Sequence, residues 1–141
     1  MELAQYYELV EKSIEGLKVD PKACRGEKPG QWNLKKGRAS VWIDIWEYEN
    51  TPGKAYFQVM SPILEIPPDR ATELYRELLE LNFTLYNMAF VVEKTWVYIK
   101  SIREVNSLDQ SEVDAQIDRV GFYADDFIGK LKFKYTPEKG A

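Results

Sequence analysis

Few side chains in this sequence have the types and spacing that enzyme chemistry requires. The chain contains no histidine, so it cannot form a serine–histidine or cysteine–histidine nucleophile pair or the usual zinc sites. Its single cysteine, Cys24, lies close to Lys22 and Arg25, whose charges would lower the pKa of the thiol. Because no general base stands near it, we expect an incidental exposed thiol. The sequence predicts no catalytic residue and a protein that is not an enzyme.

Pairs of carboxylates could hold a metal or perform acid–base chemistry, but their setting argues against both. Asp114 and Asp118 are four residues apart on a helix face that we expect to be solvated, and Asp125 and Asp126 are adjacent. The segment 109–118 lacks the glycine and the ligand spacing of a calcium loop. We therefore interpret these residues as surface charges and predict no metal site and no cofactor.

The segment 41–48 predicts a strand that is apolar on both faces. Side chains alternate along a strand, so Val41, Ile43 and Ile45 point one way while Trp42, Trp46 and Tyr48 point the other way. An antiparallel sheet normally buries one face and leaves the other to water. The second face must therefore be covered by a helix, a second subunit or a bound protein.

Asp44 lies on the same side of this strand as the two indoles. A carboxylate framed by Trp42 and Trp46 could receive a cationic group through charge and cation–π attraction. Alternatively, it could protect a sheet edge or pair with a lysine on the next strand. We favour the second, structural interpretation.

Hydrophobic periodicity and turn residues predict eight elements in the order α-β-β-β-α-β-β-α. The helices are predicted at 2–16, at 69–81 and from near Ser107, and the strands at 32–34, 39–48, 55–61, 84–92 and 95–102. Asp69 is the predicted N-cap of the second helix, Asn82 its C-cap, and Ser107 with Gln110 a capping box. Residues 18–31 are predicted to be a long, mobile loop. The fold class is α+β, with a five-stranded antiparallel sheet and three helices.

The predicted strands divide their side chains into two sets. The aliphatic set comprises Val41, Ile43, Ile45, Phe57, Val59, Val97 and Ile99, and the aromatic set comprises Trp42, Trp46, Tyr48, Tyr56, Met60, Trp96 and Tyr98. We expect the aliphatic set to pack under the helices and the aromatic set to form a partner-binding or dimer face. The reverse assignment stays open, because aromatic stripes are often core. The register of the fourth strand also stays open.

The last helix has an apolar seam, but its end is ambiguous. The seam comprises Val113, Ile117, Val120, Ala124, Phe127 and Leu131. The following segment 130–135 alternates lysine with apolar residues. It could continue the helix, form an edge strand guarded by lysines, or act as a basic arm.

Length and composition predict one domain over residues 1–141 in a reducing, cytoplasmic setting. The net charge of −4 and a pI near 5.0 argue against nucleic-acid binding. Neither a signal peptide nor a stretch of about 18 apolar residues is present, so we expect no membrane partner. One cysteine cannot make a disulfide framework.

Several short signatures resemble the YbjN-like family of small bacterial proteins, whose fold is that of the type III secretion chaperones. The matching residues are Trp32-x-Leu34-x-x-Gly37-x-Ala39-x-Val41, Ser61-Pro62-Ile63 with Ile66-Pro67, Leu78-Leu79-Glu80-Leu81-Asn82, Ala89-Phe90 and Ala124-Asp125. The resemblance spans nearly the whole chain. It implies an intracellular homodimer with no established reaction and a sensory or regulatory role, whereas the secretion chaperones bind extended segments of client proteins.

The function expected from these observations is non-catalytic binding of an extended protein segment, as a regulatory adaptor or chaperone-like domain. Strand addition at a sheet edge, with pockets from Trp42, Trp46 and Tyr56, would suit this architecture. The alternative is a small-molecule sensor that uses the aromatic face as a pocket wall. A deep enclosed cavity on this face would favour the sensor, and a shallow groove would favour the peptide binder.

Overall fold

A computed structural model describes residues 2–51 and 53–136 of the chain. Its helices are α1 (Leu3–Gly16), α2 (Pro21–Cys24), α3 (Ala71–Asn82) and α4 (Gln110–Tyr135), and a 3₁₀ turn covers Pro68–Arg70. Its strands are β1 (Gln31–Lys36), β2 (Ala39–Glu47), β3 (Ala55–Glu65), β4 (Ala89–Glu93) and β5 (Trp96–Glu104). The predicted α+β order is confirmed, with the short helix α2 as an addition.

The five strands form one antiparallel sheet in the order β1-β2-β3-β5-β4. The third strand is longer than predicted and runs through Pro62, which lies beyond the last residue pair with β2, Trp42 with Met60. A proline has no N–H to give to a ladder, and on the β2 side of Pro62 no residue is paired with it. The pairing with β5 shifts register between Pro62 and Leu64, as a β-bulge does.

The aliphatic set forms the core beneath the helices, as predicted. Every member of that set is buried, and the buried apolar residues form one continuous cluster. The seam of α4 lies on this cluster, and all six of its predicted residues are buried. Phe90 and Met88 join the same core, which settles the register of the fourth strand, because Phe90 pairs with the buried Ile99.

The helix α4 begins later than predicted, and its end agrees with one of the three alternatives for segment 130–135. Its N-cap is Asp109, whose carboxylate accepts from the backbone N–H of Glu112 at 2.9 Å, so the prediction of Ser107 as cap was wrong. The segment 130–135 continues the helix. There Tyr135 is buried and donates to Glu77 Oε1 of α3 at 2.6 Å, and burial raises the pKa of its phenol. This bond ties the end of α4 to α3.

The segment between α1 and β1 is more ordered than predicted. Asp20 caps α2 by accepting from Lys22 N–H at 3.0 Å. Cys24 is buried rather than exposed, and burial raises the pKa of its thiol, so the expectation of an exposed cysteine was wrong. Glu11 of α1 receives two bonds of 2.8 Å from Arg25 and one of 2.9 Å from Trp32. The bonds from Arg25 hold the pKa of Glu11 below its ordinary value.

Three further details of the capping and strand predictions were wrong. Asp69 lies in the 3₁₀ turn, and Arg70 occupies the N-cap of α3. Asn82 is inside α3 and does not cap it; its side chain accepts from Phe90 N–H at 2.7 Å and donates to Phe90 C=O at 3.3 Å. The fourth strand begins only at Ala89, and residues 84–88 form a turn region before it.

Several residues of the family signatures have clear structural roles. Gly37 has a φ of +59°, and a Cβ there would stand 2.6 Å from Asp125 Oδ1. That oxygen accepts from Arg38 N–H at 2.8 Å and from Arg38 Nε at 3.0 Å. The β1–β2 turn is therefore held against α4 by Asp125, next to the buried Ala124.

Candidate functional site: the aromatic face of the sheet

The aromatic set lies on the sheet face opposite the helices. None of its seven members belongs to the buried core, and Tyr48 is 49% exposed while the other six are partly exposed. The helices α1 and α4 direct their buried residues to the aliphatic side. Strand periodicity thus divides the sheet as predicted, and the aromatic side is left without a helical cover.

Three of the aromatic rings form a cluster at one end of this face. Trp46 lies 5.7 Å from both Tyr48 and Tyr56, and Tyr48 lies 5.3 Å from Tyr56, measured between ring centroids. Trp46 and Tyr56 are direct cross-strand partners on β2 and β3. Such edge-to-face and tilted pairs stabilise one another beyond their buried area. The cluster is therefore a preformed aromatic surface.

A second group occupies the middle of the face. Trp42 pairs across the ladder with Met60, and its ring lies 5.9 Å from that of Tyr98 on β5. Met60 in turn lies opposite Lys100. The flexible thioether of methionine can adapt to different apolar ligands. The structure thus brings six of the seven predicted residues into two adjoining groups.

Trp96 is the exception among the predicted residues. It is the first residue of β5 and pairs with Glu65 and Glu93 on the two flanking strands. It makes no ring contact with another aromatic residue in the described chain. The alternation of side chains along the strand predicted the correct face for Trp96. Only the strand register shows that Trp96 lies at the far end of that face.

Asp44 occupies the gap between the two aromatic groups. It lies on the interior strand β2, directly opposite Gln31 on one side and Gln58 on the other. Neither structural interpretation of this residue holds, because β2 is not an edge and the facing residues are not lysines. Burial raises the pKa of Asp44, while the polar amide groups of the two glutamines oppose that shift. Within residues 2–51 and 53–136, Asp44 forms no ion pair.

The carboxylate of Asp44 lines an open groove of about 460 Å³. Trp46 and Gln58 form its floor with Asp44, and Lys28 and Pro29 from the loop before β1 form its other side. The groove is shallow and open to solvent, and it is not an enclosed cavity. A half-buried carboxylate without a cation partner, beside an indole, suits a cationic side chain of a bound segment.

The raised pKa of Asp44 has a consequence for stability. A native pKa above the ordinary value of 3.8 means that the charged form of Asp44 destabilises the native state. This destabilisation is complete when the pH is above the native pKa, and it is absent when the pH is below the pKa of the unfolded chain. Replacing Asp44 with asparagine is therefore expected to raise the free energy of unfolding near neutral pH. Urea titrations near pH 7 and near pH 3 check this, and the gain should disappear at the lower pH. A destabilised D44N variant at neutral pH would show that the charge is favourably held.

Both edges of the sheet are partly occupied. At β1, Trp32 forms a bridge with Arg25, and Gly26 N–H donates to Gln31 C=O at 2.7 Å, so this edge is open only beyond Trp32. At β4, the Asn82 side chain occupies the backbone groups of Phe90. Strand addition is thus restricted to short stretches, and the aromatic face offers the larger surface.

Sequence reasoning missed a second apolar surface, on α3. Tyr75 is 40% exposed, and Leu79 and Phe83 are 70% and 93% exposed. Their spacing of four residues places them on one side of the helix. The signal was present in the 75-79-83 spacing, but the same helix has a competing stripe at Leu74 and Leu78, which the structure buries. We call Tyr75, Leu79 and Phe83 the α3 stripe.

The described residues also set limits on other kinds of site. No helix within residues 2–51 and 53–136 is both long and apolar enough to cross a membrane. Over the same residues, no three histidine, cysteine, aspartate or glutamate side chains are arranged to hold a metal ion.

The sheet order, the helix placement and the open face define an α+β fold of the secretion-chaperone-like class. A solved example is the crystal structure of the ExsC–ExsE complex. A chain in it is similar to this one with a TM-score of 0.66 and 13% sequence identity, over 93% of this chain and 97% of that chain. At this identity the likeness shows the fold alone. No family model and no curated protein matches this chain, so the YbjN-like resemblance stays a prediction.

Proposed function

We propose that this chain is a non-catalytic, chaperone-like domain that binds an extended segment of another protein on its aromatic face. The observation that carries this proposal is the row of partly exposed aromatic side chains on the side of the sheet away from the helices. The similar solved structure is a complex of two proteins, ExsC and ExsE, which agrees with a role in protein binding. The open groove beside Asp44 favours an extended segment over an enclosed small molecule.

The size of the aromatic face supports binding on energetic grounds. Aromatic side chains bury about 150–250 Å² each when fully covered, and in this set Tyr48 is 49% exposed while the other six members are partly exposed. Together they present on the order of 300 Å² of apolar surface, and covering it contributes about 7–8 kcal/mol at ~25 cal/mol per Å². This gain offsets a substantial part of the association cost of about 4–15 kcal/mol.

The bound segment has a predictable chemistry. Its apolar side chains would lie on the Trp46–Tyr48–Tyr56 cluster and on the Trp42–Met60 pair, and a lysine or arginine would lie between them on Asp44. The charge of Asp44 gives the face its sequence specificity, because apolar contacts alone do not distinguish one hydrophobic segment from another. Binding of a cation there would also lower the raised pKa of Asp44.

A selection from a library of short random peptides tests the proposal directly. The expected peptides carry aromatic or aliphatic residues on both sides of a lysine or arginine, and their affinity falls at least about tenfold with Asp44→Asn, the loss expected for a hydrogen bond to a charged group. Glu93→Gln is the matched control, because it removes a carboxylate at the far end of the sheet. Failure to enrich any peptide, or equal binding to both variants, would contradict this mode of recognition.

We further propose that two copies of the chain associate through the α3 stripe and leave the aromatic faces free. The exposure of Leu79 on α3 and of Phe83 at its C-cap, 70% and 93%, supports this assignment. In solution, Leu79→Ser/Phe83→Ser is expected to convert a dimer into a folded monomer, because these exposed side chains contribute little to the fold of one chain. Light scattering with size separation measures the change.

Two comparisons make this assignment falsifiable. Phe122→Ser removes an exposed ring from α4, 58% exposed, and should leave the dimer intact. A wild-type chain that is already monomeric, or a dimer that survives the α3 substitutions and dissociates with Trp42→Ser/Trp46→Ser, would overturn the assignment. In the second case the aromatic face would be the contact between subunits.

A further inference from the structure

An open cavity of about 530 Å³ lies at the edge of the sheet beside the end of β5. It is bounded by the turn region before β4, the last residues of β5 and the first half of α4. The strand β4 begins only at Ala89, opposite Lys100, so the end of β5 has no β4 neighbour there. The cavity fills the space that a longer β4 would have occupied. Its volume is within the range of sites for small molecules.

The charge of this cavity is opposite to that of the chain. Three cationic residues, Lys100, Arg103 and Arg119, line it together with one carboxylate, Glu112. Those four residues sum to +2, whereas the whole chain has a net charge of −4. A local excess of positive charge attracts anions. The cavity is therefore an anion-attracting region in an acidic protein.

The cations of the cavity are not equivalent. Arg103 is held by Glu112 at 2.5 Å, by Asn106 C=O at 2.6 Å and by Glu104 C=O at 2.8 Å. Arg119 has no ion pair or hydrogen bond to another side chain within the described residues, and its guanidinium lies 4.9 Å from the ring centroid of Tyr86. That stacking orients the guanidinium and leaves its N–H groups free to donate. Arg119 is thus the cation available to a ligand.

Gln116 adds a hydrogen-bond donor to the same cavity. Its side chain is only 6% exposed, and its Oε1 accepts from the Ser101 hydroxyl at 2.8 Å. In the part of the chain that the structure describes, nothing accepts from its Nε2. Gln116 lines the cavity, so a ligand oxygen there could accept from Nε2. It is one helical turn before Arg119, so both donors face the same space.

We propose that this cavity binds a small organic oxyanion, with a carboxylate or phosphate group held by Arg119 and by Gln116 Nε2. The planar fork of arginine matches two oxygens of either group, and the amide supplies a third donor. The ion pair of Arg103 and Glu112 forms part of the cavity wall and stays intact when the ligand binds. The site is separate from the aromatic face, so its failure would leave the proposed protein binding untouched.

Titration with inorganic phosphate and with citrate, at constant ionic strength and followed by backbone amide NMR, tests this proposal. We expect saturable shifts confined to residues 86–89, 101–103 and 112–119. Arg119→Gln should weaken binding by about tenfold or more, because it removes a charged hydrogen-bond donor. Arg119→Lys should restore part of the affinity. Arg76→Gln, which makes the same charge change on α3, should leave it unchanged.

The two probes distinguish the source of the oxyanion. Saturation by phosphate alone assigns the site to phosphorylated ligands, saturation by citrate alone assigns it to carboxylates, and either result supports the proposal. Shifts that do not saturate, or that are the same in wild type and Arg119→Gln, would show an adventitious ion only and would overturn it. Lys100→Gln provides a second test should Arg119→Gln fail to fold.

Discussion

Replacing Trp42 and Trp46 together with serine is expected to reduce the affinity for an extended peptide by at least about 100-fold. Central, well-packed tryptophans in interfaces each contribute 2 kcal/mol or more to binding, and these two belong to the two adjoining groups of the aromatic face. Peptides enriched from the library provide the ligand, and fluorescence anisotropy or calorimetry provides the affinity. The affinity should fall although the fold is retained.

The control for this prediction must separate binding from folding. Both tryptophans point away from the core, so far-ultraviolet circular dichroism should show the secondary structure of the wild type for the double variant. Phe122→Ser, which removes an exposed ring on the opposite layer, should bind the peptide as the wild type does. A double variant that is folded and binds with undiminished affinity would rule out the aromatic face as the site.

The second large effect is expected at Gly30, where a methyl group should destabilise the fold by about 2–5 kcal/mol. Gly30 has a φ of +85°, and a Cβ there would lie 2.5 Å from Ile45 C=O and 3.1 Å from the Tyr7 hydroxyl. A left-handed conformation costs an alanine about 1–2 kcal/mol, and the clash with backbone adds roughly 1–3 kcal/mol. The Gly30 carbonyl also accepts from Ile45 N–H at 2.8 Å, so the loop cannot move away freely.

Gly53 provides a matched control for Gly30. It also has a φ of +85°, but a Cβ there meets no atom within 4 Å. Gly53→Ala should therefore lower the free energy of unfolding only by the cost of the left-handed conformation. The additional loss of stability in Gly30→Ala measures the steric cost of the close approach of Gly30 to β2. Urea unfolding of both variants gives this difference. Equal losses of stability would mean that the loop relaxes without penalty.

Gly30→Ala should also affect the groove at Asp44. The residues directly before it, Lys28 and Pro29, form one side of that groove. A displaced loop changes the opening beside Trp46 without altering any residue of the aromatic set. A folded Gly30→Ala variant with a reduced peptide affinity would show that the loop contributes to the site.

The sequence predicted the layers of this fold well, because those predictions rest on short periods. Alternation over two residues separated Val41, Ile43 and Ile45 from Trp42 and Trp46 without any knowledge of their neighbours. A helical period identified the α4 seam in the same way, and every residue of that seam is buried. Such patterns survive in any fold that buries one face.

The errors arose where a local signal competed with a distant contact. Asn82 is a good capping residue, yet its amide bonds to Phe90, eight residues away. Cys24 lies in a polar stretch, yet the α2 turn buries it. The strand before Phe90 reads as extended from residue 84, yet it pairs only from Ala89, since the chain turns there beside α4. Propensity describes a segment alone, whereas these outcomes depend on what packs against it.

By itself the sequence determined that this chain has a two-sided apolar sheet, three long amphipathic helices and no histidine-based chemistry. Only the tertiary structure decided which side the helices cover, that Asp44 lies between two glutamines, and that Arg119 and Gln116 share a cavity with the end of β5. The physical reason is that periodicity depends only on residues that are close together in the sequence. Burial, pairing register and cavity walls depend on segments that are far apart in the chain.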